Sequence, residues 1–199
     1  MKKPKLRELR EAIKAIFTGP YTPKEFITPP ENLRARARYF EEDCVGCGAC
    51  AEVCPTGCIL IEEDLQHDPP LRRLTVRSER CIVCGQCERY CITKKGIQLT
   101  PEYDLATFEP HQPIDTVEKE LMLCERCGEV IGCIDHLKWI ARRIGPKTYA
   151  NPALMAAMDP QHRAAGAKPR KGASEDRSDL MRALCTSCRR QVLAAEVWG

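Results

Sequence analysis

The chain has 199 residues, a formal net charge of +3 and only 6% aromatic residues. That balance is too weak to point to nucleic acid, and the sequence shows no RNA-binding signature and no stacking platform. No apolar stretch approaches the roughly 18 residues of a membrane span; the opening Met-Lys-Lys-Pro-Lys-Leu-Arg-Glu-Leu-Arg lacks the apolar core and cleavage site of a secretory signal, so residence in the cytosol is expected.

Residues 1–43 begin with Leu6, Leu9, Ile13 and Ile16 at steps of three and four, flanked by Lys and Arg, which predicts an amphipathic helix. Gly19-Pro20 ends it, and the Pro-rich stretch to Pro30 reads as an extended arm. The helix fits a docking element: Ile13, Ile16 and Phe17 would pack on a partner while Lys2, Lys3, Lys5, Arg7 and Arg10 face polar surface or lipid headgroups. A helix packed on its own domain is the other reading.

Residues 44–106 hold a duplicated cysteine run. Cys44, Cys47, Cys50 and Cys54 precede Pro55, and Cys81, Cys84, Cys87 and Cys91 repeat the same spacing 37 residues later. Spacers this short bend a loop around an iron–sulfur cube and aim thiolates at successive irons, so two [4Fe–4S] clusters are expected. A disulfide framework is the alternative for a Cys-rich chain, but it belongs to short exported domains. Gly46, Gly48 and Gly85 lie inside the runs, where a chain curling around a ligand needs positive backbone angles and exposed amides. Each run should lead into a short helical turn and then a strand, Ile59-Leu60-Ile61 and Ile97-Gln98-Leu99; Leu74-Thr75-Val76 should form a hairpin with the first across Asp68-Pro69-Pro70.

In two-cluster ferredoxins the fourth cysteine of each run binds the other cluster. That resemblance implies Cys44, Cys47, Cys50 and Cys91 for the first cube and Cys54, Cys81, Cys84 and Cys87 for the second. It also makes cluster insertion part of folding. Two departures stand out: the second run ends Cys91-Ile92, without the usual proline, and Cys58 is a ninth thiol, read as a small buried hydrophobe beside a cluster, with replacement of Cys54 as the alternative.

Residues 107–199 are expected to form a further module with a solvated linker near 160–180. His136 to Ile144 reads as an amphipathic helix stopped by Gly145-Pro146. Cys124-x2-Cys127 and Cys185-x2-Cys188 are two knuckles, and two facing knuckles make the four-cysteine cage of structural zinc. A third iron–sulfur cluster or unmetallated thiols are the other readings. Cys133 is a spare thiol and an alternative ligand for that cage, and His136 reads as a helix-face histidine, with a ligand as the other reading. The expected fold class is α+β: a bacterial-type two-[4Fe–4S] ferredoxin fold with an N-terminal helix and arm and a C-terminal four-cysteine, zinc-ribbon-like module.

Cys81-Ile-Val-Cys84-Gly-Gln-Cys87-Glu-Arg and Ile97-Gln-Leu-Thr-Pro-Glu-Tyr103-Asp-Leu-Ala106, followed by the two knuckles, resemble the ferredoxin-like subunit of formate hydrogenlyase and related membrane-bound group 4 [NiFe]-hydrogenases. More distantly, residues 34–100 are similar to the two-cluster subunit of respiratory complex I, where Cys-Pro-x-x-Cys-Ile also follows the first run, as Cys54-Pro-Thr-Gly-Cys58-Ile59 does here. That similarity favours Cys58 as a non-ligand. The resemblance implies a subunit placed between an electron-input iron–sulfur subunit and the hydrogenase small subunit, peripheral on the cytoplasmic side of the cell membrane and near the membrane subunits. The chain carries no Ser/His/Asp, Walker or Rossmann pattern, so no catalytic residues are assigned and an electron-transfer role is expected. The rivals are a soluble ferredoxin-type carrier serving several oxidoreductases and a zinc/iron–sulfur interaction or redox-sensing protein.

Overall fold

Leu74 and Val117 face each other across two strands, and both are almost wholly buried, at 1% and 3% exposure. They mark the middle of the main sheet. The computed structural model describes residues 6–18, 28–30, 32–105, 115–159 and 182–198. The expected linker at 160–180 and most of the Pro-rich arm lie outside the described residues. The chain forms two units, residues 1–33 and 34–199.

The first unit contains helix α1 (Leu6–Thr18). Its apolar residues Leu6, Leu9, Ile13, Ile16 and Phe17 share one face, and all are exposed.

In the second unit, β2 (Ile59–Asp64) and β3 (Leu71–Val76) form the expected antiparallel hairpin. β5 (Asp115–Leu123) pairs with β3, and β6 (Val130–Cys133) pairs with β5, giving a four-stranded antiparallel sheet in the order β2-β3-β5-β6. The period of two sorts the residues. Leu74 and Val76 of β3 and Val117 and Leu121 of β5 turn inward and are buried. Arg73 and Glu118 pair on the exposed face at 2.7 Å, beside Thr75 and Thr116 at 3.2 Å. The sheet therefore runs across the boundary expected at 106/107.

A second pair of strands was not foreseen in full. β4 (Ile97–Thr100) is the expected strand after the second cysteine run, but its partner is β1 (Arg36–Tyr39), in a segment read as the end of the arm. The physical reason is alternation: Ala37 and Tyr39 are buried at 2% and 6% exposure while Arg36 and Arg38 point outward and pair with Glu102.

Two short helices, α2 (Ala49–Glu52) and α3 (Gln86–Arg89), close the two cysteine loops and pack together. Beyond β6, α4 (Ile134–Ile144) buries Ile134, Leu137 and Ala141 and ends at Gly145. α5 (Pro152–Met158), capped by the Asn151 side chain, packs against it. These residues and Met122 form a second core, separate from the one around the cysteine loops. α6 (Thr186–Trp198) begins directly after Cys185.

Candidate functional site

The chain must turn back on itself inside each cysteine run, and the backbone shows how. Gly48 and Gly85 sit immediately before α2 and α3 with φ of 79° and 75°, the left-handed region that glycine enters without steric cost. They occupy equivalent positions, each following the second cysteine of its run. The preceding left-handed position is Gly46 (φ 71°) in the first run and Val83 (φ 55°) in the second.

The structure brings Cys91 to the first run. Cys44, Cys50 and Cys91 are buried, Cys47 is half-buried, and Cys91 lies close enough to raise the pKa of both Cys44 and Cys47. Burial pushes Cys44 up to about 11, opposed by the Gly46 amide and the Lys119 charge. Burial also pushes Cys50 up to about 11, while the Tyr39 hydroxyl donates to its sulfur at 3.4 Å. Cys91 goes the other way: burial raises it, but the Thr93 hydroxyl at 3.3 Å and nearby amides outweigh that and lower it.

Cys54 turns toward the second run. A small cavity is lined by Cys54, Cys58, Cys81, Cys84 and Cys87, with Leu99 behind them. Burial would raise the Cys54 thiol, yet donors from Thr56 and Cys58 hold it at about 7. Cys58 is pushed up to about 12 by burial and by Cys54 beside it. The Val83 amide donates to the Cys81 sulfur at 3.4 Å. Cys50 of the first group adds to the upward shift of Cys87 in the second, so the two groups are neighbours. Each group offers four thiols from two separate turns, and amides already point at the sulfurs. That donor chemistry fits an iron–sulfur cube.

The two knuckles also meet. The sulfurs of Cys124, Cys127, Cys185 and Cys188 all lie within 4.8 Å of one another, with Cys127 and Cys185 at 3.7 Å. Four sulfurs about 2.3 Å from one central ion stand about 3.8 Å apart at tetrahedral corners. In a cube each thiolate binds a different iron and the sulfurs stand farther apart, so the spacing here fits a single ion. The backbone builds the group locally. Gly128 donates to the Cys124 carbonyl at 2.9 Å, closing the first turn. Glu125 and Ala183 exchange hydrogen bonds at 3.0 and 2.9 Å, which ties the first knuckle to the residues before the second. Burial raises Cys124, but amides of Cys185, Cys127 and Arg126 overcome it and hold the thiol at about 7, while burial and the other sulfurs push Cys188 up to about 12. Four thiols this close cannot all ionise without a cation among them.

Cys133 and His136 stand apart from that group. His136 is on α4, half-buried, its pKa lowered by burial and by Arg72. Cys133 reaches the first cysteine loop: its sulfur donates to the Gly46 carbonyl at 3.2 Å across 87 residues of chain. Arg72 donates to the same oxygen at 3.0 Å. Neither contact has a sequence signal. All fourteen cysteines are free of disulfides.

Compared with known proteins, residues 43–95 match the 4Fe-4S dicluster domain family. NADH-quinone oxidoreductase subunit I 2 of Geobacter metallireducens is 32% identical over 115 residues, which cover 53% of this chain and 87% of that protein. The chain belongs to the NADH-quinone oxidoreductase subunit I family. A second member, NAD(P)H-quinone oxidoreductase subunit I of Gloeobacter violaceus, is 29% identical over 45% of this chain and 44% of its own length. A chain in the structure of the membrane-bound sulfane sulfur reductase, an archaeal respiratory membrane complex, is 27% identical and covers 57% of this chain and 61% of its own, at a TM-score of 0.37. As a subunit I family protein the chain carries an iron–sulfur dicluster domain of mixed helix and strand, followed by a close four-cysteine group. No described helix is long and apolar enough to cross a membrane.

Proposed function

We propose that this chain relays single electrons through two [4Fe–4S] clusters inside a membrane-associated [NiFe]-hydrogenase or formate hydrogenlyase-like assembly related to complex I. The observation that carries the reading is the crossing of the fourth cysteines. Cys91 sits with Cys44 and Cys47, and Cys54 lines one cavity with Cys81, Cys84 and Cys87. Cys44, Cys47, Cys50 and Cys91 would hold the first cluster, and Cys54, Cys81, Cys84 and Cys87 the second.

When bound, each cluster supplies reversible one-electron chemistry at a potential tuned by surrounding hydrogen bonds and burial. The chain's own residues prepare those sites. Tyr39 donates its hydroxyl to Cys50, and Thr93 and Thr56 donate to the fourth cysteines of the two runs. Cys50 and Cys87 place the two groups side by side, which shortens the path between them. No side chain is assigned a bond-making role; the chain acts as a non-catalytic relay.

The four-cysteine group would hold one structural zinc, supported by its single-ion sulfur spacing. Its partners would be a hydrogenase small subunit, an electron-input iron–sulfur subunit and membrane subunits, with the chain peripheral on the cytoplasmic face. The exposed apolar face of α1 would serve as the docking element. Support for the assembly comes from family membership together with the knuckle pair downstream of the cluster domain.

Metal analysis with EPR on dithionite-reduced protein tests the cofactors: eight irons, one zinc and two interacting S = 1/2 signals are expected. Four irons, or twelve without zinc, would overturn them. Purification of the native complex tests the assembly; recovery with no hydrogenase subunit would reject it. Deleting residues 1–30 should abolish co-purification while leaving the iron content unchanged.

A further inference from the structure

Three side chains from three adjacent strands converge on the loop that carries Cys44 and Cys47. Arg72 of β3 donates to the Gly46 carbonyl at 3.0 Å and is anchored through its Nε to Glu63 at 3.0 Å. Cys133, at the end of β6 and 0% exposed, donates to the same carbonyl at 3.2 Å. Lys119 of β5 donates to the Glu41 carbonyl at 2.7 Å and pairs with Asp135 at 3.4 Å. The fit leaves no slack, because a Cβ added at Gly46 would stand 2.7 Å from the Cys133 sulfur and 3.0 Å from the Lys119 side chain.

The Gly46 carbonyl and the Cys47 N–H are opposite edges of one peptide plane, so holding the first aims the second. That N–H belongs to Cys47 itself, one of the thiols assigned above to the first cluster. Two cations stand at the same loop: the Arg72 guanidinium on the Gly46 carbonyl, next to Cys47, and the Lys119 ammonium on the Glu41 carbonyl, three residues before Cys44. Both side chains are mostly covered, at 16% and 11% exposure, so water screens them weakly.

We infer that Arg72, Lys119 and Cys133 form a brace that raises the reduction potential of the cluster held by Cys44, Cys47, Cys50 and Cys91. This rests on the ligand assignment proposed above. Reduction adds one negative charge to the cluster, and fixed cations and aimed amide donors stabilise that form more than the oxidised one. The consequence is regulatory in kind. Strands β5 and β6, which contribute no ligand to either cluster, set the poise of one of them, so anything that shifts this sheet edge changes how readily the first cluster accepts an electron.

The test is a dithionite potentiometric titration of the full-length chain, followed by EPR, with iron content measured for every variant. Cys91→Ser, which should alter or abolish the first-cluster signal, identifies that signal. Arg72→Gln should lower the potential of that cluster alone. At the unmodified protein's midpoint the reduced-to-oxidised ratio should fall about tenfold, equivalent to about 59 mV for one electron. Cys133→Ala should shift it in the same direction, and Cys133→Ser, which keeps a donor, should restore it. Lys119→Met is read the same way if Arg72→Gln loses iron. The brace is rejected if these variants keep eight irons and neither signal moves, or if both signals move equally. Failure of the ligand assignment looks different: the unmodified protein would hold fewer than eight irons, or Cys91→Ser would leave both signals unaltered.

Discussion

Cys54 and Cys58 hold their sulfurs 3.3 Å apart in the wall of one cavity, and the Cys58 amide also donates to the Cys54 sulfur at 3.3 Å. Only one of the two is needed as a ligand. Donors converge on Cys54 and favour its thiolate, whereas burial keeps Cys58 a thiol at about 12. Cys58→Ala should therefore retain eight irons and cost about 1 kcal/mol of stability, the scale for removing one small buried group. Iron analysis and a denaturation midpoint check this. Loss of half the iron would reverse the roles of the two thiols.

Val83 carries a β-branched side chain at φ 55°, where the equivalent position of the first run has Gly46. A branched residue in the left-handed region is strained by about 1–3 kcal/mol. Val83→Gly should stabilise the cluster-loaded protein by about 1 kcal/mol, since glycine's unfolded-state entropy offsets part of the relief. The amide bond to Cys81 would be kept. A lower denaturation midpoint for the variant would contradict this account.

How much of this was readable beforehand depends on which residues carried the pattern. The cysteine spacing is a local signal, and so are the Ile59, Leu74 and Ile97 strands and the α4 helix; the structure places the strands as read and begins α4 two residues earlier, at Ile134. Strand β1 was hidden because it is only four residues long and its inward residues, Ala37 and Tyr39, alternate with arginines, just past the Pro-rich arm. Strand β5 was hidden because its outward residues Thr116, Glu118 and Glu120 are polar and its inward row includes Lys119. That lysine is inward because the carbonyl of Glu41 and the carboxylate of Asp135 await it. The Cys133–Gly46 contact spans 87 residues and depends on the β5–β6 pairing, so no local pattern encodes it.

The zinc proposed for the four-cysteine group gives a prediction separable from the clusters. Cys185→Ser should lose zinc, keep eight irons and make the C-terminal segment more sensitive to protease. Acidification of the unmodified protein should release zinc, because protons compete for thiolates that the ion requires. Zinc and iron are measured together by elemental analysis. Zinc retention in the variant, or iron loss alongside zinc, would refute independent sites.

His136 supplies a second pH dependence. Burial and the Arg72 charge lower its pKa below the ordinary value near 6.5. The folded state thus binds fewer protons than the unfolded state as pH falls through that region. Its contribution to stability is complete above about 6.5 and is lost as the pH drops toward the folded-state value. His136→Gln should flatten the fall in denaturation midpoint between pH 7 and 5. Parallel profiles for the two proteins would exclude His136 as the titrating group.

The small β1–β4 sheet joins Arg36 to Thr100 and so encloses every cysteine of both runs. The hairpin of β2 and β3 needs only neighbouring residues, but this clasp cannot close until the chain has been made through Thr100. Its closure draws Tyr39, with its hydroxyl on Cys50, into the core beside Ile97. During synthesis the two cysteine runs therefore stay unclasped until residue 100 has been made, nine residues past Cys91, the last cysteine of the second run.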